Sequence, residues 1–151
     1  MDLQELYQEI ILDHYRSPRN RCEHLEEGKC VKHENPLCGD ELSLKVVVGR
    51  EDGKIEDISY ASQGCSISQA SASMMSEAVK GLDKERALEM AETVRLMMHG
   101  EKPKEDLGDI EALQGVAKFP VRVKCALLAW MALKDALTNG KTQAVTKDGR
   151  D

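Results

Sequence analysis

The chain has 151 residues, 41% apolar and 32% charged, with a formal net charge of −6. That length supports one domain with a substantial core, and the acidic balance argues against a nucleic-acid backbone or an anionic membrane as main partner. Aromatic residues make up 3%, so the core has to be built from Leu, Ile, Val, Ala and Met.

The opening stretch, MDLQELYQEIILDHY, holds acidic residues and no uninterrupted apolar run, so it reads as neither a signal peptide nor a transmembrane helix. A cytoplasmic location is expected, where thiols stay reduced. Residues 3 to 15 place Leu3, Leu6, Tyr7, Ile10, Ile11 and Tyr15 at helical spacing, which predicts one buried stripe capped by Asp2. Pro18 ends that helix. Residues 21 to 37 are polar and broken, with a short strand expected around 30 to 33. ELSLKVVVG (41 to 49) and KIEDISYAS (54 to 62) read as two antiparallel strands joined by a turn at EDG. A helix is predicted from near Cys65, closely packed at Ala70, Ala72 and Ser73. Asp83 caps another, with Leu88, Ala91, Val94, Met97 and Met98 inward and Gly100 as its terminator. After a polar loop and a short helix or turn over residues 110 to 119, Pro120 opens the last helix and Gly140 closes it. The expected organisation is a single α+β domain over residues 1–140, with helices on one face of a small antiparallel sheet. Residues 141–151 read as a disordered tail.

The chain carries five cysteines, Cys22, Cys30, Cys38, Cys65 and Cys125. An odd number suits a metal or reactive-thiol site better than a disulfide framework. Cys38 lies in NPLCGD, a bent loop in which Gly39 permits positive φ. Cys65 lies where a strand gives way to a helix, and Cys125 in the first turns of the last helix. Three thiols and Asp40 at element ends would complete a tetrahedral zinc site. Spacing alone leaves open that Cys65 and Cys125 are small buried hydrophobes. A rival zinc set is Cys22, His24, Cys30 and His33, set in a strongly charged stretch that reads more simply as solvated loop. His14 and His99 read as caps or surface residues.

DHYRSPRN (13 to 20), NPLCGD (35 to 40), GCSISQASASMM (64 to 75) and FPVRVKCALLAW (119 to 130) together resemble the U-type iron–sulfur assembly proteins, and more narrowly the SufU branch. IscU-type scaffolds carry a histidine ligand directly before the last cysteine, where this chain has Lys124. Their Pro-Pro chaperone motif is replaced here by Lys118, Phe119, Pro120 and Val121. Residues 100 to 115 look like the insertion typical of SufU proteins.

The resemblance implies a zinc-dependent sulfur carrier. Its metal ligands would map onto Cys38, Asp40, Cys65 and Cys125, and its sulfur acceptor onto Cys38. The implied sulfur donor is a PLP-dependent cysteine desulfurase of the SufS type, one of whose histidines exchanges into the zinc shell and frees the acceptor cysteine. The implied recipient is a downstream cluster-building complex. Arg122 and Lys124 are candidates for neutralising the site's charge, although an ordinary solvated helix start also accounts for both. Two alternatives stand beside this reading. In one, the same four residues assemble a transient [2Fe–2S] cluster; in the other, zinc is structural in a non-catalytic adaptor.

Overall fold

In a computed structural model, the chain is described over residues 2–26, 30–36 and 38–139, and in its backbone over 143–145. Helix α1 (Leu3–Arg16) starts where the Asp2 carboxylate accepts the Glu5 N–H at 2.8 Å. Strands β1 (Val31–Asn35), β2 (Asp40–Gly49) and β3 (Ile55–Gln63) form an antiparallel sheet in that order. Leu42, Leu44 and Val46 point from β2 into the core, beside Ile58 and Tyr60 of β3. A bulge between Val47 and Val48 shifts the register, so Ile55 and Ile58 both face inward although three residues apart. Strict alternation could not predict that spacing.

Helix α2 (Ser66–Val79) packs on β3, and α4 (Pro120–Thr138) packs on β1 and β2. Helix α1 lies against α2, and α3 (Lys84–Met98) against α4, with a 3₁₀-helix (Gly108–Val116) filling the space among the helices. The opposite face of the sheet presents Glu41, Ser43, Lys45, Ser59, Ala61 and Gln63, none of them buried. The fold is thus α+β, with helices on one face, as the element order implies. Ala70, Ala72 and Ser73 are fully buried, which lets α1 and α4 approach α2 closely. Among the described residues, no helix is long and apolar enough to cross a membrane.

Three sequence expectations are corrected. No regular structure is predicted from residue 141 onward, yet Gln143–Val145 form β4, parallel to Val47–Gly49 of β2. The physical reason is an open edge: β1 reaches only Leu44 of β2, so the rest of that edge is free to pair. The remaining residues of that segment lie outside the described ones. In α1, the predicted stripe is only partly covered, since Leu3, Leu6 and Tyr15 are exposed. Periodicity shows that a helix has an apolar face, not that something lies against all of it.

The third correction concerns His14, which is fully buried rather than a cap. Its Nδ1 lies 2.8 Å from the Ser73 hydroxyl and its Nε2 2.9 Å from the Asp109 carboxylate. Arg19 N–H donates to the same Ser73 oxygen, and the Asn20 amide donates to Ser76. Arg19 also pairs with Asp13 at 2.8 Å and with Glu77 at 3.6 Å. The DHYRSPRN stretch is therefore a polar latch between α1 and the serine-rich face of α2. His14, Glu77 and Asp109 stand close enough to suggest an ion site, but both ring nitrogens of His14 are already engaged.

Candidate metal centre

Antiparallel pairing sets the start of β2 beside the end of β3, with Glu41 opposite Gln63. The loop that delivers Cys38 and Asp40 therefore meets the junction that delivers Cys65. Cys38 N–H bonds the Asn35 carbonyl at 3.1 Å, and Gly39 sits at φ 69°, closing a tight turn into β2. Cys65 is the N-cap of α2, its sulfur accepting the Ser68 N–H at 3.5 Å. Cys125 lies in the second turn of α4, and that helix, crossing β1 and β2, carries its sulfur to the same point.

The sulfurs of Cys38 and Cys125 are 3.0 Å apart, and both lie within 4.8 Å of an Asp40 oxygen. Asp40 Oδ2 is 4.0 Å from the Cys65 sulfur, while Oδ1 accepts the Cys65 N–H at 2.9 Å. Of the four residues expected from sequence, Cys38, Asp40 and Cys125 thus stand within ligand distance of one another, while Cys65 lies beside Asp40 but outside that set, and all the cysteines are free thiols. The rival set does not converge. Cys22 faces the Tyr60 carbonyl, Cys30 the Glu26 carbonyl, His33 bonds Asp135, and His24 is exposed. His99 is a cap, with Nδ1 at 2.7 Å from the Arg95 carbonyl. Arg122 and Lys124 are both exposed, which favours their solvated reading.

A further residue of this site escapes sequence reasoning. Gly64 has φ 134°, and a Cβ there would overlap the Asp40 carboxylate and lie 2.8 Å from its Cα. The missing side chain is what lets Asp40 reach the centre. The signal was the glycine directly before Cys65, which reads as a mere strand terminator until Asp40 is seen above it.

The donors fit a divalent cation. Asp40 is 1% exposed, and among the described residues no cationic side chain pairs with it. A buried carboxylate without counter-charge is costly. Burial above all, then the contacts with Cys38, Asp40 and Cys65, pushes the Cys125 thiol far above its ordinary range. A bound cation would reverse both penalties. Three sulfurs and one carboxylate oxygen form a zinc-type donor set, whose members would stand about 3.3–3.8 Å apart around a tetrahedral ion. The contact between Cys38 and Cys125 is tighter than that, and the 4.0 Å between Cys65 and Asp40 is slightly longer.

The NifU-like N-terminal domain matches residues 6–144. The chain belongs to that family. It is 49% identical over 136 residues to the zinc-dependent sulfurtransferase SufU of Bacillus subtilis (strain 168), covering 88% of this chain and 90% of the relative. It is 44% identical over 137 residues to the iron–sulfur cluster assembly scaffold protein IscU of Streptococcus pyogenes serotype M1, covering 89% and 84%. A crystal structure from Fervidobacterium islandicum AW-1, titled as an iron–sulfur cluster assembly scaffold protein for the SUF system, superposes with a TM-score of 0.76 at 34% identity. That match covers 91% of this chain and all of the other. One family member is thus named a sulfurtransferase and another a scaffold at similar identity.

Proposed function

We propose that this protein is a zinc-dependent sulfur carrier for iron–sulfur cluster assembly, with Cys38 as its sulfur acceptor. The observation that carries the reading is an asymmetry among the three sulfurs. Cys65 accepts an N–H from Ser68, and Cys125 lies within reach of the Asn35 amide. Cys38 has no N–H donor at its sulfur among the described residues, and it rides on a glycine-containing turn. Two thiols are built to stay and one is free to leave.

Cys65, Cys125 and Asp40, with Cys38 at rest, are the residues that would hold the zinc. When bound, zinc supplies the positive charge that keeps these thiols ionised. The fully ionised donors with the ion would carry a net charge of about −2, which favours release of one thiolate. The Cys38 thiolate then attacks the outer sulfur of a persulfide on the partner. A new S–S bond forms on Cys38, the partner's S–S bond breaks, and the partner's cysteine leaves as thiolate. Asp40 follows Cys38 by two residues and stays anchored by the Cys65 N–H during this movement.

The partner that fits this chemistry is a PLP-dependent cysteine desulfurase of the SufS type, in the cytoplasm. The product sulfur passes to a downstream cluster-building complex. The relation to a Bacillus protein named a zinc-dependent sulfurtransferase supports the reading. The relation to a streptococcal scaffold supports a second one, in which the same donors assemble a [2Fe–2S] cluster. Metal analysis of the untreated, anaerobically purified protein separates them. The carrier reading expects about one zinc per chain, as one tetrahedral site holds; iron and sulfide with visible cluster absorbance and no zinc would favour the scaffold.

A further inference from the structure

The geometry points to the side-chain amide of Asn35 as a positioning residue that fixes Cys125 as a retained sulfur, so that Cys38 is the one released. The inference rests on the metal-centre reading above and assigns a residue outside the four donors.

Asn35 ends β1, opposite Asp40 across the β1–β2 ladder. It is buried, at 7% exposure. Its backbone carbonyl holds the Cys38 N–H at 3.1 Å, while its side-chain Nδ2 lies 3.7 Å from the Cys125 sulfur. One residue thus anchors the turn of Cys38 through its backbone and grips the opposite sulfur through its side chain. The direction of that grip follows from chemistry. A metal-bound thiolate can only accept, so the amide must present N–H rather than oxygen to it. An N–H aimed at a thiolate disperses its charge and fixes its orientation, as partners of metal ligands generally do. The Ser68 N–H does the same for Cys65 at 3.5 Å, but as a backbone group in the first turn of α2 it can be removed only by proline, which also constrains the backbone. Asn35 is therefore the side chain through which the asymmetry among the sulfurs can be tested.

The isosteric Asn35→Asp keeps the volume, removes the donor and sets a carboxylate against the sulfur. Asn35→Ala removes the donor alone. The test uses the full chain loaded with cobalt(II) in place of zinc, and reads the sulfur-to-cobalt charge-transfer band, zinc affinity by chelator competition, and the melting temperature of the metal-free protein. Both variants are expected to shift the band to lower energy, because a sulfur without its donor is easier to oxidise. Both should lose about 10- to 100-fold in zinc affinity, Asn35→Asp the more, and the buried carboxylate of Asn35→Asp should also lower its metal-free melting temperature. An unshifted band and parental zinc affinity in Asn35→Asp would overturn the assignment. So would a lower metal-free melting temperature with affinity unchanged, which is the mark of a purely structural residue. A parent that shows no thiolate–cobalt band refutes the metal centre itself; a parent that shows it beside an unshifted variant refutes only the role of Asn35.

Discussion

At the scale of single residues, the centre depends on one absent side chain as much as on four present ones. Gly64→Ala would force its Cβ into Asp40. We expect zinc affinity to fall by about 10- to 100-fold, the range for disturbing the support of a ligand. Gly81→Ala is the control, because Gly81 also has a positive φ, of 90°, but nothing within 4 Å of a new Cβ. It should cost stability through backbone strain alone and leave zinc affinity unchanged by chelator competition. Equal affinity losses in both variants would mean that strain, and not the clash with Asp40, is responsible. The four proposed donors could be raised as candidates because thiols and a carboxylate sat at element ends, but spacing left Cys65 and Cys125 open as small buried hydrophobes, and the family resemblance made the choice. Gly64 and Asn35 could not be raised in this way, since their roles exist only across strand pairs and helices distant in sequence.

Tyr60 makes a separate prediction at this scale. It is fully buried, its hydroxyl makes no well-formed hydrogen bond among the described residues, and burial, only partly offset by the nearby Ser73 hydroxyl, raises its pKa to about 12 from 10.0. Below pH about 10 both folded and unfolded chains keep the proton, so stability is unaffected. Between about 10 and 12 only the unfolded chain loses it, and stability falls with rising pH, by about 2–3 kcal/mol at most. Tyr60→Phe removes this term and a poorly paired buried hydroxyl together. It should cost under about 1 kcal/mol at neutral pH and flatten the alkaline decline in urea titrations of metal-free protein. A decline as steep as the parent's would contradict it.

At the scale of elements, the latch between α1 and α2 explains why DHYRSPRN is polar where it meets the core. His14 joins α1 to Ser73 of α2 and to Asp109 of the 3₁₀-helix. His14→Ala leaves the Ser73 hydroxyl buried without that partner and opens a cavity. We expect a loss of about 2–4 kcal/mol in chemical denaturation, from the unmade hydrogen bonds and the void together. Asp109→Ala removes an exposed partner and should cost much less; a similar cost in both would place the stabilisation in the ion pair. The helices and strands themselves followed from apolar periodicity, capping aspartates and Pro120. The bulge in β3 broke strict alternation, and β4 depends on an unpaired edge of β2, so neither was visible in local pattern. The burial of His14 had one available clue: the serines of α2 recur along its buried face and need polar partners.

At the scale of the whole molecule, the sheet end and two helix starts meet at the centre, with Cys38 and Cys65 half-buried and Cys125 buried. Under the proposed reading, transfer of sulfur to Cys38 would require only its turn to move, while α2 and α4 would keep the other sulfurs in place. The decisive measurement is peptide mapping by mass spectrometry, under non-reducing conditions, after brief incubation of the zinc-loaded protein with cysteine and a SufS-type cysteine desulfurase. The added mass of one sulfur should appear first on the peptide containing Cys38, and the Cys38→Ala protein should take up none. A first persulfide on Cys65 or Cys125, or sulfur uptake by Cys38→Ala at the parental rate, would contradict the sulfur-carrier reading with Cys38 as acceptor.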